Sequence, residues 1–144
     1  LRINKKLQYG LLFVIYLSRS GRSTVDIVSK NISVPKNFLE QIARQLRLSG
    51  VIRSIRGPSG GYELNTNCTI GDVFAALKQD KLLDPRDMAV LKRGQLEHRA
   101  LAMAVQDLYF AQAQVLTRRI VDVVRELVSA ETHIMNSMNV VGMA

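Results

Sequence analysis

Three glycines fall within five residues at Gly57, Gly60 and Gly61, and this cluster constrains the fold more than any other stretch of the chain. It lies between two short runs that favour extended backbone. Val51-Ile-Arg-Ser-Ile55 is brief and β-branched, so it is predicted to be a strand. Tyr62-Glu-Leu64 returns as a second strand, and Arg56-Gly-Pro-Ser-Gly-Gly61 is turn chemistry from end to end. The expectation is a hairpin with a glycine-rich tip. A routine tight turn needs one glycine. Three, flanked by Arg56 and Pro58, describe a finger whose backbone N–H groups can approach another molecule closely. A phosphate loop of the P-loop or dinucleotide type is excluded, because those glycines open a helix and these join two strands.

Ahead of the hairpin the apolar period is helical. Ile3, Leu7, Leu11, Phe13, Val14 and Leu17 predict a helix over 3–18, stopped at Gly21. Ser23 or Thr24 can cap a second helix, about Val25 to Asn31, with Ile27 and Val28 inward. Ile32-Ser33-Val34 is read as a turn. Pro35 suits the first turn of a third helix, where its missing N–H has no partner to lose. That helix should run to Leu48 and bury Phe38, Leu39, Ile42 and Leu46.

Beyond the hairpin, Thr69 should cap a helix from Ile70 to Leu77, with Asp72 in its first turn. Residues 78–100 are polar, and Asp84-Pro85 is read as the start of a short helix to Arg93, ended by Gly94. From Leu96 to Ala130 there is neither Gly nor Pro, so one long helix is predicted. Tyr109, Ala113, Leu116, Ile120, Val123 and Leu127 alternate steps of four and three, a coiled-coil-like seam. The same helix of a second copy is the expected cover; helices of the same chain are the alternative. The Met-rich tail over 135–144 is expected to pack loosely or be disordered. The organisation expected is a domain over 1–77, a linker or effector segment over 78–100, a dimerisation helix over 101–134 and the tail.

Charge divides the chain in the same way. The net charge is +8, and residues 1–64 hold 11 basic and 3 acidic side chains, so the whole excess lies there. Residues 65–144 hold equal numbers of each sign. Such asymmetry points the first half at a polyanion. With 47% apolar residues a core can form. No apolar run reaches transmembrane length, and Leu11–Leu17, flanked by Arg19 and Arg22, is too short for a secretion signal. The single Cys68 excludes an internal disulfide and fits a cytoplasmic location. No catalytic grouping falls in a recognisable motif, so no enzyme is expected.

Three helices followed by a glycine-tipped hairpin is the order of a winged helix-turn-helix: a mainly α fold with a small β-hairpin wing, plus a long C-terminal dimerisation helix. Its third helix enters the major groove of DNA. Subtracting the apolar stripe leaves Lys36, Asn37, Glu40, Gln41, Arg44 and Arg47 exposed. Asn, Gln and Arg can make paired hydrogen bonds to base edges, while Lys36 and Arg47, at the ends, suit phosphates. Arg53 and Arg56 bring charge to the wing, where a narrow groove of enhanced negative potential attracts such arginines.

At these residues the sequence resembles the Rrf2 family of bacterial transcription regulators. The matching segments are Lys6-x-x-Tyr9-Gly10, Ile32-Ser33, Phe38-Leu39-Glu40-Gln41-Ile42, Leu46-Arg47, Arg56-Gly57-Pro58-x-Gly60-Gly61-Tyr62-x-Leu64 and Ile70-Gly71-Asp72-Val73. The resemblance covers roughly residues 1–77. It implies a winged-helix domain, a homodimer formed through a long helix and operator binding at promoters, with repression as the expected outcome. With it, Lys6, Gly57, Pro58, Ser59, Gly60, Gly61 and Tyr62 join the expected DNA-contacting set. Many members hold an iron–sulfur cluster through three cysteines after the fourth helix. Residues 78–100 here contain none, only His98 beside Glu97, so no cofactor is expected. The competing reading is a winged-helix module whose basic face meets an acidic protein partner.

Overall fold

The computed structural model describes residues 4–78 and 96–142. The expected short helix from Asp84 to Arg93 lies outside the described residues, as does most of the segment over 78–100.

Helix α1 spans Lys5–Ser20, two residues later than the apolar period indicates. The shift has a local cause. Asn4 accepts the Leu7 N–H at 2.8 Å, and a side-chain oxygen at that position defines the helix start. The stop is Gly21, at φ 74°, whose N–H donates to the Leu17 carbonyl. Helix α2, Val25–Ile32, is capped by Thr24 and ends on Ser33 in the left-handed region. Pro35 stands at the cap of α3, Lys36–Leu48, just before the first helical residue.

These three helices enclose the core. Leu7, Phe13, Val14, Leu17, Val28, Leu39, Ile42, Ala43 and Leu46 are buried together. Each large side chain removed from water here is worth roughly 1.5–3 kcal/mol. Two inward expectations need correction. Ile27 is 48% exposed, because the inward stripe of α2 runs through Val25, Val28 and Ile32 and Ile27 stands to one side of it. Phe38 is half-buried and meets Tyr9 edge to face at 5.5 Å, while Ala43 completes the stripe.

The hairpin consists of β1, Ile52–Ile55, and β2, Gly61–Leu64, paired antiparallel with Ile52 opposite Leu64 and Arg53 opposite Glu63. A backbone bridge then ties it to the turn between α1 and α2: Tyr62 N–H donates to the Ser23 carbonyl at 2.8 Å, and Ser23 N–H to Tyr62 at 3.1 Å. A Cβ on Gly61 would stand 2.7 Å from that Ser23 carbonyl, so only glycine permits the approach.

Helix α4, Ile70–Ala76, opens with a reciprocal capping box between Thr69 and Asp72. The C-terminal region differs from the single rod predicted over 96–130. It is two helices, α5 over Leu96–Leu116 and α6 over Ile120–Gly142, separated at Thr117–Arg119. Neither Gly nor Pro breaks the chain. Backbone bonds to the winged domain do. Ile70 N–H donates to the Arg118 carbonyl at 2.9 Å, and Ile120 N–H to the Cys68 carbonyl at 3.2 Å. The Leu116 carbonyl lies where a Cβ on Gly71 would be 2.9 Å away, so the glycine makes room for the turn. Arg119 then pairs through both its Nε and Nη2 with Asp122 at the start of α6. The tail is helical to Gly142, with Met135 and Met138 exposed.

The break redistributes the predicted seam. Ile120 is 2% exposed and belongs to the winged domain's own core, so it is not available to a second copy. Tyr109, Ala113, Leu116 and Val123 are half-buried within the single chain, and only Leu127 is fully open. No helix among the described residues is long and apolar enough to cross a membrane.

Candidate nucleic-acid interface

Helix α3 buries one face and presents the other. Leu39, Ile42, Ala43 and Leu46 point inward, so the 3.6-residue period leaves Lys36, Asn37, Glu40, Gln41, Arg44 and Arg47 exposed, as predicted. Asn37, Gln41 and Arg44 follow at steps of four and three and form one stripe along the helix. Lys36 is less free than its position indicates. Its ammonium lies 2.7 Å from Asp26 on α2. The hydrogen bond and the opposed charge push Lys36 up and hold the Asp26 carboxyl below the usual carboxylate range.

The end of α3 and the wing enclose a cleft of about 860 Å³ lined by Arg47, Gly50, Arg53, Ser54, Arg56, Asn65 and Thr66, with Ile52 and Leu64. Three arginines from three elements therefore converge on one concave, polar surface. In the sequence Gly50 reads as the end of the third helix and Asn65-Thr66 as the close of the hairpin, with no part in a binding surface. Asn65 Nδ2 donates to the Gly50 carbonyl at 3.3 Å and so closes the base of the hairpin. A second groove of about 580 Å³ runs between α3 and the end of α4, past Gln41, Arg44 and Lys78.

At the wing tip Arg56, Gly57, Pro58 and Ser59 are exposed. The three glycines have different reasons to be there. Gly57 adopts φ 111° with open space around it. Gly60 is packed within its own turn, where a Cβ would meet the Ile55 carbonyl at 2.5 Å. Gly61 serves the bridge to Ser23. The sequence offers all three for close approach to another molecule; each also has a reason within the chain's own backbone, Gly57 through its φ and the other two through close packing. Tyr62 is half-buried and packs its ring edge-on to Phe13 at 6.1 Å. Lys6 is half-buried in the first turn of α1. In the neighbouring Tyr9-Gly10 pair, Tyr9 packs on Phe38, and Gly10 leaves space for Leu77.

Arg22, between α1 and α2, is the residue sequence reading missed. Its Nε and Nη2 donate to Glu63 Oε1 at 2.9 and 2.5 Å, and its Nη1 donates to the Ser59 carbonyl at 3.2 Å. Arg53 binds the other oxygen of the same carboxylate, at 2.9 and 2.7 Å. Hydrogen bonds from the two guanidiniums, Arg22 first, hold the Glu63 carboxyl below the usual carboxylate range. No local pattern marks this contact, because Arg22 and Glu63 lie 41 positions apart.

Cys68 is 3% exposed, and burial, with help from the Asp72 charge, pushes its thiol up to about 11. It is therefore neutral at physiological pH. The described residues contain no group of three or more His, Cys, Asp or Glu side chains that could hold a metal ion. His133 is exposed on α6.

The sequence model of the Rrf2 family, described as an iron-dependent transcriptional regulator, matches residues 3–127. Over 84 residues the chain is 31% identical to the HTH-type transcriptional regulator CymR of Bacillus subtilis, a match covering 54% of this chain and 61% of the relative. Over 85 residues it is 31% identical to the HTH-type transcriptional regulator IscR of Cronobacter sakazakii, covering 55% and 52%. The chain thus spans between half and two thirds of the length of these curated relatives. The solved structure of B. subtilis CymR, described as the global cysteine regulator of that organism, superposes with a TM-score of 0.64 at 26% identity, covering 88% of this chain and 98% of that one. An iron centre held by cysteines does not fit the donors here, since these 144 residues hold one cysteine and its thiol is buried and neutral. With a family match over most of its length and a winged fold shared with a solved relative, the chain belongs to the Rrf2 family of transcriptional regulators.

Proposed function

We propose that the chain acts as a homodimeric, sequence-specific DNA-binding transcription regulator in the cytoplasm, and that it represses at a roughly palindromic operator. One observation carries the reading: the Asn37–Gln41–Arg44 stripe of α3 stands beside a cleft into which Arg47, Arg53 and Arg56 converge. The stripe has the side chains that pair with base edges in a major groove. The cleft has the charge that binds phosphates and favours a narrow minor groove. Dimerisation is supported by exposed apolar positions seven residues apart: Leu101, Leu108 and Val115 on α5, and Leu127 and Ile134 on α6. A twofold pair requires half-sites separated by about one helical turn or a multiple of it.

The test is capture of genomic fragments by the purified protein, followed by sequencing. A shared inverted repeat is the expected result. Captured fragments with no common sequence would overturn the reading and favour the basic face as a site for an acidic protein. Operator affinity should fall steeply with salt, because released counterions drive phosphate binding. Sedimentation at increasing concentration should give twice the monomer mass; a monomer throughout would overturn the twofold arrangement.

A further inference from the structure

We propose that Glu63 is a positioning residue: by locking Arg22 and Arg53 onto one carboxylate it fixes the angle of the wing, and through that angle it sharpens discrimination between DNA sequences. The proposal rests on the DNA reading above and assigns a role to an acidic side chain that such a reading would otherwise count as a defect.

A carboxylate on a surface meant for DNA should repel phosphates. Glu63 nevertheless sits on β2, directly across the hairpin from Arg53, on the wing itself. Its side chain is 22% exposed, against 74% for its partner Arg53, so it is the enclosed centre of the group. Each of its oxygens is taken by two nitrogens of one guanidinium, Oε1 by Arg22 and Oε2 by Arg53, so the two arginines occupy opposite sides of the carboxylate. Isolated surface ion pairs contribute little, but several charges joined in a network hold their geometry better. The arrangement carries one net positive charge, so the wing stays cationic.

Its reach matters more than its charge. Arg22 belongs to the turn that opens the helix-turn-helix pair, and the same guanidinium extends to the Ser59 carbonyl at the wing tip. The backbone bridge at Ser23 and Tyr62 holds the start of β2 and does not include the turn residues 56–60. Beyond it the tip holds Gly57 and Gly60, which give the backbone little stiffness of its own. Arg22, held by Glu63, is the brace that carries the orientation of the helical unit out to that tip. A tip held in one orientation before binding loses less entropy on contact, and it favours the groove shape it fits.

The experiment compares wild type, Glu63→Gln, Arg22→Gln and the double variant. Backbone amide exchange over residues 55–62 is measured in the free protein. Affinities are measured for the captured operator and for a scrambled duplex of equal composition. Loss of the brace should speed exchange at the tip. It should lower the operator-to-scrambled ratio by about three- to fivefold, although Glu63→Gln raises the net charge by one and should tighten scrambled binding. The two single effects on that ratio should not add, because both break one network. Unchanged exchange at the tip would overturn the proposal without reference to DNA. So would faster exchange with an operator-to-scrambled ratio equal to or above that of wild type, since the brace would then have no part in discrimination. A wild-type protein that itself shows no preference overturns the DNA reading and this assignment with it, and is distinguished because it is measured first.

Discussion

The winged half and the C-terminal helices of this chain solve the burial problem in opposite ways. Among the described residues, 16 of the 17 buried apolar side chains lie from Leu7 to Leu77, and Ile120 is the exception. Of the 13 exposed large hydrophobic side chains described, 11 lie on α5 and α6. The first region has a closed core and presents polar and cationic side chains outward. The second is an open one, whose outward apolar positions are uncovered among the described residues. Apolar surface in the first region stabilises a fold, and in the second it is available for association.

That contrast breaks most visibly under paired substitutions. Phe13→Ala should destabilise the folded chain by about 3–5 kcal/mol, read by denaturant unfolding, because it empties the middle of the closed core. Leu108→Asp should leave the unfolding of the winged half within about 0.5 kcal/mol of wild type, yet shift sedimentation toward the monomer. If both variants lost the same folding stability, the two regions would be one cooperative core and the contrast would fail.

Arg44→Ala sharpens the polar side of the comparison. It should cost about 1–3 kcal/mol of operator binding and relax preference at one position of each half-site. Binding to every duplex unchanged would remove α3 as the reading face. Gly71→Ala probes the seam where the regions meet. Helix propensity favours alanine, but a Cβ 2.9 Å from the Leu116 carbonyl must push the α5–α6 turn away. A net loss of about 1–3 kcal/mol in thermal unfolding is expected. A gain in stability would show that the turn yields without cost.

The smallest effect concerns pH. Hydrogen bonds from Arg119, then the charges of Arg119, Arg125 and Arg118, hold the Asp122 carboxyl below its ordinary value. A depressed carboxylate contributes stability that is complete above the unfolded-state value and is lost as pH falls through the folded one. Asp122→Asn should therefore melt slightly below wild type at neutral pH, and the two melting curves should converge on acidification. A difference that persisted at low pH would assign Asp122 a role other than its charge.

Much of the reading face is legible in the residues alone. The period of α3 leaves six polar side chains exposed by subtraction, and the fold exposes all six, with Leu48 beside them at the helix end. The wing tip is legible as a turn because glycine and proline act on the backbone directly. Arg22 is not, since its importance comes from Glu63 and Ser59, which the fold brings to it. The packing of Tyr62 is hidden for the converse reason: a ring in a motif beside exposed residues carries no sign that it meets Phe13.

By itself the sequence determined four helices, a glycine-tipped hairpin and a cationic first half, because capping oxygens, glycines and apolar spacing act over a few residues and need no partner. Tertiary structure alone decided where the C-terminal rod breaks and which of its stripes faces inward. At Thr117–Arg119 the intrahelical bonds compete with backbone bonds to Cys68 and Ile70, and the latter win because they also bury Ile120. A stripe of steps four and three satisfies any apolar surface equally well, so only the surface that arrives can choose it.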